Sequence, residues 1–231
     1  MYLLHKKFAK DPQHYIRAFR ILEQDLNELF NYVEPADKNL HTYSHRIQQL
    51  LMRTCVEIEA NLTAILTENS YPKTSDLTMK DYRLVDQSHR LSSFDVRITT
   101  WSGSQKIRTP YAAWKNNGSL SWYRAYNKSK HNRHENFRLA TFEALTDAIC
   151  GLIALLSAQF YDEDYSTSDK SMGLGGGYSY DTDDGMQNSI GRLFRVKFPT
   201  DWPGDDRYDF DWGALKQKED PFNEFEYTVT S

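Results

Sequence analysis

Apolar residues recur at spacings of three and four in the first part of the chain. Tyr15, Phe19, Leu22, Leu26, Leu29 and Phe30 follow Asp11-Pro12 and stop at Glu34-Pro35, which predicts an amphipathic helix with proline in its first turn. A second stripe, Ile47, Leu51, Ile58, Leu62 and Ile65, opens near Thr42 and Ser44 and predicts a helix of about six turns at 3.6 residues each. From Ser70 to Asp95 the periodicity is lost, so irregular chain is expected with one turn of helix around Thr78 to Leu84. The period then changes to two. Phe94 to Trp101 alternates and is β-branched, Ser102-Gly-Ser-Gln can turn and Lys106 to Thr109 can return, which predicts a small hairpin insert at about 94–110. Ser121 is expected to cap a third helix running through Trp122 and Tyr126 to about His131. Phe142 to Phe160 is apolar nearly all the way round, the pattern of a bundle's central helix.

The expected class is therefore all-α, a bundle of four main helices with a small β-hairpin insert and a mostly irregular C-terminal tail. Residues 1–163 read as the helical domain. Residues 164–189, with Gly173-Leu-Gly-Gly-Gly177 at their centre, have the composition of a flexible linker. Residues 190–231 read as an acidic tail marked by Trp202, Phe210, Trp212, Phe222 and Phe225, in which Arg192 to Phe198 alternates like a short strand.

Composition narrows the class: 39% hydrophobic, 26% charged and 14% aromatic residues are too apolar for a disordered chain and too polar for a membrane protein. The longest nearly apolar run, Ala148 to Ala158, is interrupted by Gly151 and Ser157 and falls short of a bilayer span, so no membrane partner is expected. The start of the chain does not read as a secretory signal, and Cys55 and Cys150 fall in helical apolar patterns, as small buried thiols of a reducing compartment do. A cytoplasmic location follows as the expectation.

The net charge of −4 is unevenly spread. Residues 97–140 carry 9 basic and 1 acidic group, whereas residues 161–231 carry 7 and 16. A basic middle and an acidic end are a matter of partners or self-shielding, so the tail could recruit a protein or lie over the basic region.

The densest chemistry sits in Trp122 to His134. On a helix Arg124, Asn127, Lys128 and His131 fall within roughly 100° of one another, with Trp122, Tyr126 and Ser129 facing the other way. A cation for a developing oxyanion and an imidazole for proton transfer are what metal-free phosphodiester cleavage needs. Other candidates carry less: His131, His134 and Glu135 make an incomplete zinc set, Asp181 to Gly185 an incomplete calcium loop, and Gly173 to Gly177 has no lysine after it for a phosphate loop. No metal and no cofactor are implied.

Tyr126-Asn-Lys-Ser-Lys-His-Asn-Arg133, with Leu120-Ser-Trp-Tyr123 before it and Asn136-Phe and Ala140-Thr141 after it, resembles an uncharacterised bacterial family of HEPN-like helical proteins with a YNxxKHxR block. Thr42-Tyr-Ser-His-Arg46, Cys55-Val-Glu-Ile-Glu59 and Met79-Lys-Asp-Tyr82 extend the resemblance over about residues 30–160. It implies a helical bundle, often a homodimer, in which an Arg-x(4 to 6)-His motif can cleave RNA without metal. Arg124 and His131 match that motif with six residues between them, and Ala125 stands where active members carry a polar residue. The implied roles are His131 as general base or acid toward a ribose 2′-hydroxyl, Arg124 on the phosphorus oxygens and Asn127 orienting the imidazole. Lys128, Lys130 and Arg133 would hold the strand. The alternative is a non-catalytic interaction or structural module, in which Asn127 and His131 pair with Glu57 or Glu59, on the flanks of the second helix, and fix its packing.

Overall fold

A computed structural model describes residues 12–73, 75–160, 185–202 and 224–228. Four long helices carry the fold: α1 (Pro12–Phe30), α2 (His45–Glu68), α5 (Ser121–His131) and α7 (Phe142–Phe160). Between them lie three short ones, α3 (Met79–Tyr82), α4 (Val85–His89) and α6 (Arg133–Asn136). The Ser44 hydroxyl starts α2 by accepting the Ile47 N–H at 3.2 Å as its N-cap, at one of the two positions near which the sequence opens this helix. Its stripe from Ile47 to Ile65 is buried against α7 and α1.

α7 is buried from Phe142 to Phe160 on almost every side. Among the described residues it is the one helix long and apolar enough to cross a membrane, and 89% of that window is covered by the rest of the protein. Those neighbours make it the bundle's central member.

Two local expectations change. The stretch from Ser70 to Asp95 holds α3, α4 and a 3-10 turn at Leu91–Ser93. The first is the single turn expected around Thr78 to Leu84, built by a capping box in which Asp81 accepts the Thr78 N–H and hydroxyl, both at 2.7 Å; α4 and the 3-10 turn are what the lost periodicity did not register. Ser121 is the first residue inside α5, and the N-cap position falls on Leu120 with no side-chain cap bond. Burial of Leu120 and Trp122 sets that boundary.

The hairpin forms as β1 (Asp95–Ile98) and β2 (Ile107–Arg108), pairing Val96 with Arg108 and Arg97 with Ile107. The alternating segment near the C-terminus forms β4 (Phe194–Lys197) and pairs antiparallel with β1, Val96 opposite Val196 and Ile98 opposite Phe194. β3 (Gln187–Asn188) adds on β4, giving the order β2-β1-β4-β3. Residues 185–202 are thus built into the domain: Leu193, Phe194, Val196, Phe198 and Trp202 join the core, and Phe19 of α1 packs on Phe194 at 6.1 Å. The rest of the linker assigned to 164–189 lies outside the described residues, as do Phe210, Trp212 and Phe222.

Candidate nucleic-acid interface

α5 is held by its aromatic side. Trp122 is buried and donates its indole N–H to the Pro110 carbonyl at 2.9 Å, and Tyr111 meets it edge to face at 5.9 Å. One turn on, Tyr126 is also buried, and Ser129 returns its hydroxyl to the Ala125 carbonyl at 2.7 Å. This orientation turns Arg124, Lys128 and His131 out to solvent. Among the described residues none of the three makes a hydrogen bond or ion pair through its side chain. Seven residues at 1.5 Å rise put the Arg124 and His131 backbones about 10.5 Å apart, so only an extended Arg124 shares a phosphate with His131.

Asn127 and the α2 carboxylates have other uses. The Tyr123 hydroxyl donates to Glu59 Oε1 at 2.7 Å, and the Tyr126 hydroxyl donates to Glu59 Oε2 at 3.4 Å. Lys130 Nζ in turn donates to the Tyr126 hydroxyl at 3.0 Å and sits over its ring at 5.1 Å. Burial first, then the hydrogen bond to Glu59, hold the Tyr123 phenol far above its ordinary range. The Asn127 side chain reaches that same hydroxyl and offsets part of the rise. Asn127 thus lies beside Tyr123, and among the described residues it makes no bond to the imidazole. The α2 partner expected for His131 takes the two tyrosines instead, and Glu57 contributes its carbonyl to Asn61 within α2.

Next to this network lies a groove of about 660 Å³ between α1, α2 and the end of α5, lined among others by Arg46, Gln49, Met52, Arg53, Lys130 and Arg133. Asp25 is its acid, paired with Arg53 and, at 3.4 Å, with Arg46; Glu28 holds Arg46 at 3.0 Å. Below, Gln48 donates to the Ser129 carbonyl at 3.4 Å and ties α2 to α5. Of the cations assigned to a strand in the sequence, Lys130 and Arg133 line this groove and Lys128 stays on the outer face. Arg46 and Arg53 were not legible as part of it. Their only signal is a spacing of seven residues, about two turns, which puts both on one flank of α2.

A second hollow, of about 450 Å³, has Arg108 and Asp147 in its wall. Their ion pair, 3.3 Å long, leaves the Arg108 side chain 5% exposed, with its guanidinium 4.7 Å over the Trp101 ring. Burial pushes the Asp147 carboxyl up to about 6 against the pull of Arg108. At the opposite end of α2 the segment 224–228 docks: the Phe225 N–H reaches Asn69 Oδ1 at 2.8 Å, and Thr228 and Gln87 exchange two bonds. The Tyr227 hydroxyl shares the Ser88 hydroxyl at 3.2 Å with buried His89, whose Nδ1 is 2.8 Å away. The hydrogen bonds of this part of the acidic tail go to α4 and the end of α2. Cys55 and Cys150 are both free and buried, their thiols raised chiefly by burial.

No family model, no curated protein and no solved structure matches the chain.

Proposed function

We propose that this chain is an RNA-acting protein on a HEPN-like bundle, a metal-independent endoribonuclease whose substrate strand crosses the outer face of α5. The observation that carries the reading is the trio Arg124, Lys128 and His131, side by side, exposed and free of partners among the described residues. Such a set is poised to engage a ligand from outside the chain, since a packing role would have closed it against α2. The imidazole takes the proton of a ribose 2′-hydroxyl, the 2′-oxygen attacks the adjacent phosphorus, and the bond to the 5′-oxygen breaks. The products are a 2′,3′-cyclic phosphate and a 5′-hydroxyl, the latter protonated by the imidazolium or by water. Arg124 stabilises the charge on the phosphorus oxygens, Lys128 holds the backbone, and a second copy in a homodimer can supply the arginine that lies too far away on the same helix. Stress or phage defence is the setting that suits such an activity.

One observation favours the non-catalytic reading: Glu59 and Asn127 are both engaged by Tyr123, so nothing among the described residues orients the imidazole. On that reading α5 binds its partner and leaves it intact. Incubating the protein and its Arg124→Ala/His131→Ala variant with mixed RNAs in chelator decides between them. Cyclic-phosphate ends from the parent alone support the nuclease; their absence from both leaves the binding module.

A further inference from the structure

The geometry points to the groove between α1, α2 and the end of α5 as the seat of the phosphodiester backbone of single-stranded RNA. This rests on the proposal of an RNA-acting protein and says where the strand goes after it passes His131. Four cations from two separate stretches of sequence converge on the groove, Arg46 and Arg53 from α2 with Lys130 and Arg133 from around the end of α5, against one lining acid, Asp25. His131 stands between Lys130 and Arg133 in the sequence, exposed at the last turn of α5. A strand across the outer face of the helix therefore meets the groove directly beyond the imidazole.

The size of the hollow selects the ligand. At about 660 Å³ it is in the range of small-ligand pockets, large enough for one or two nucleotides and far too small to admit a duplex. Its lining has no aromatic side chain, so bases have nothing to stack on. Recognition falls to charge, and the binding is expected to be insensitive to base sequence. Part of the wall is set in advance, because the Lys130 ammonium is held by the hydroxyl and ring of buried Tyr126. Arg53 is kept in place by Asp25 and Arg46 by Asp25 and Glu28, all through exposed ion pairs, and pairs of that kind are weak enough for a phosphate to exchange with the carboxylates.

The test is fluorescence anisotropy of a labelled oligouridylate 12-mer in chelator at several salt concentrations, with circular dichroism melts of each variant. Arg46→Ala/Arg133→Ala is expected to weaken binding about tenfold or more and to flatten the salt slope by about 1.4, from about 0.7 per phosphate contact on a single strand. Asp25→Asn, which frees Arg53 and leaves Arg46 to Glu28 alone, is expected to tighten binding several-fold, an outcome that misfolding cannot imitate. If Arg46→Ala/Arg133→Ala and Asp25→Asn both bind like the parent, the groove is not the seat. In that case loss of binding in Arg124→Ala/Lys128→Ala would keep the RNA reading and discard only this extension of it, whereas a parent that binds no RNA discards both. A mononucleotide, UMP, that binds as tightly as the 12-mer would overturn the proposal in favour of a nucleotide pocket.

Discussion

Glu23 on α1 accepts the backbone N–H of Leu193 at 2.9 Å across 170 residues of chain, and the same oxygen accepts the Arg192 N–H at 2.6 Å. The carboxylate is 6% exposed and also faces Arg20 at 3.5 Å. One buried side chain thus fixes the turn that feeds β4 into the sheet. Gly191 fits that turn because its φ is +86° and a Cβ there would meet the Glu23 carboxylate. Glu23→Ala is expected to cost about 1–3 kcal/mol by leaving buried N–H groups without an acceptor. Gly191→Ala adds strain and a clash, and urea unfolding should show a loss of at least about 1 kcal/mol.

Acid should weaken the fold through His89. Its ring is 4% exposed, and burial lowers its pKa to about 3 from an ordinary 6.5. Between those values the unfolded chain binds a proton that the folded one refuses, so stability falls as pH drops below 6.5, by up to about 1.4 kcal/mol per pH unit. The stability difference between the parent and His89→Leu, taken by urea titration from pH 7 to 4, is expected to shrink steadily; a constant difference would refute this assignment.

Arg108 and Asp147 are worth a double-mutant cycle. Asp147→Leu alone strands a buried guanidinium and is expected to cost about 3 kcal/mol, while Arg108→Met/Asp147→Leu should come within about 1 kcal/mol of the parent. The pH dependence has the opposite sign to that of His89. The carboxyl is raised to about 6 in the fold from an ordinary 3.8, so its contribution grows as pH falls through that window and is lost as pH rises through 6.

Tyr123→Phe removes the bond to Glu59 and is expected to destabilise the protein by about 1 kcal/mol in thermal or urea melts. The proposed RNA cleavage should survive, because Arg124, Lys128 and His131 face the other way.

On the proposed nuclease reading, activity should follow the outer face of α5. His131→Ala is expected to lower single-turnover cleavage about 10²–10⁴-fold and Arg124→Ala about 10²-fold. Lys128→Ala should act on binding, visible as a higher RNA concentration for half-maximal cleavage at an unchanged maximal rate.

The helices were legible because they bury continuous stripes. Phe19, Leu22 and Leu26 of α1, and Ile47 to Ile65 of α2, announce themselves by period alone. The same held for the two sides of α5, since burial of Trp122 and Tyr126 follows from their spacing. What spacing could not supply was the choice of partner. Asn127 turns to Tyr123 and Glu59 to the two tyrosines because burial of those rings brings their hydroxyls to the α2 carboxylate first. The groove was hidden for a related reason: Arg46 and Arg133 belong to helices far apart in the chain, and each looks like an ordinary surface cation until the bundle closes. The strand near the C-terminus was readable as a strand, but its place beside β1 depends on Glu23 and on a register that no local pattern encodes.

That place sets an order of events during synthesis. Thr99, just past the end of β1, bonds to Leu193, 94 positions further on. At roughly 5–20 residues per second a ribosome needs about 5–20 s to deliver the second partner after the first. Throughout that interval the nascent chain carries β1 with the edge that will pair with β4 bare. The helices can gather early, but the sheet is completed only once residues 187–197 have been made, and a chaperone guarding that edge would have its work in those seconds.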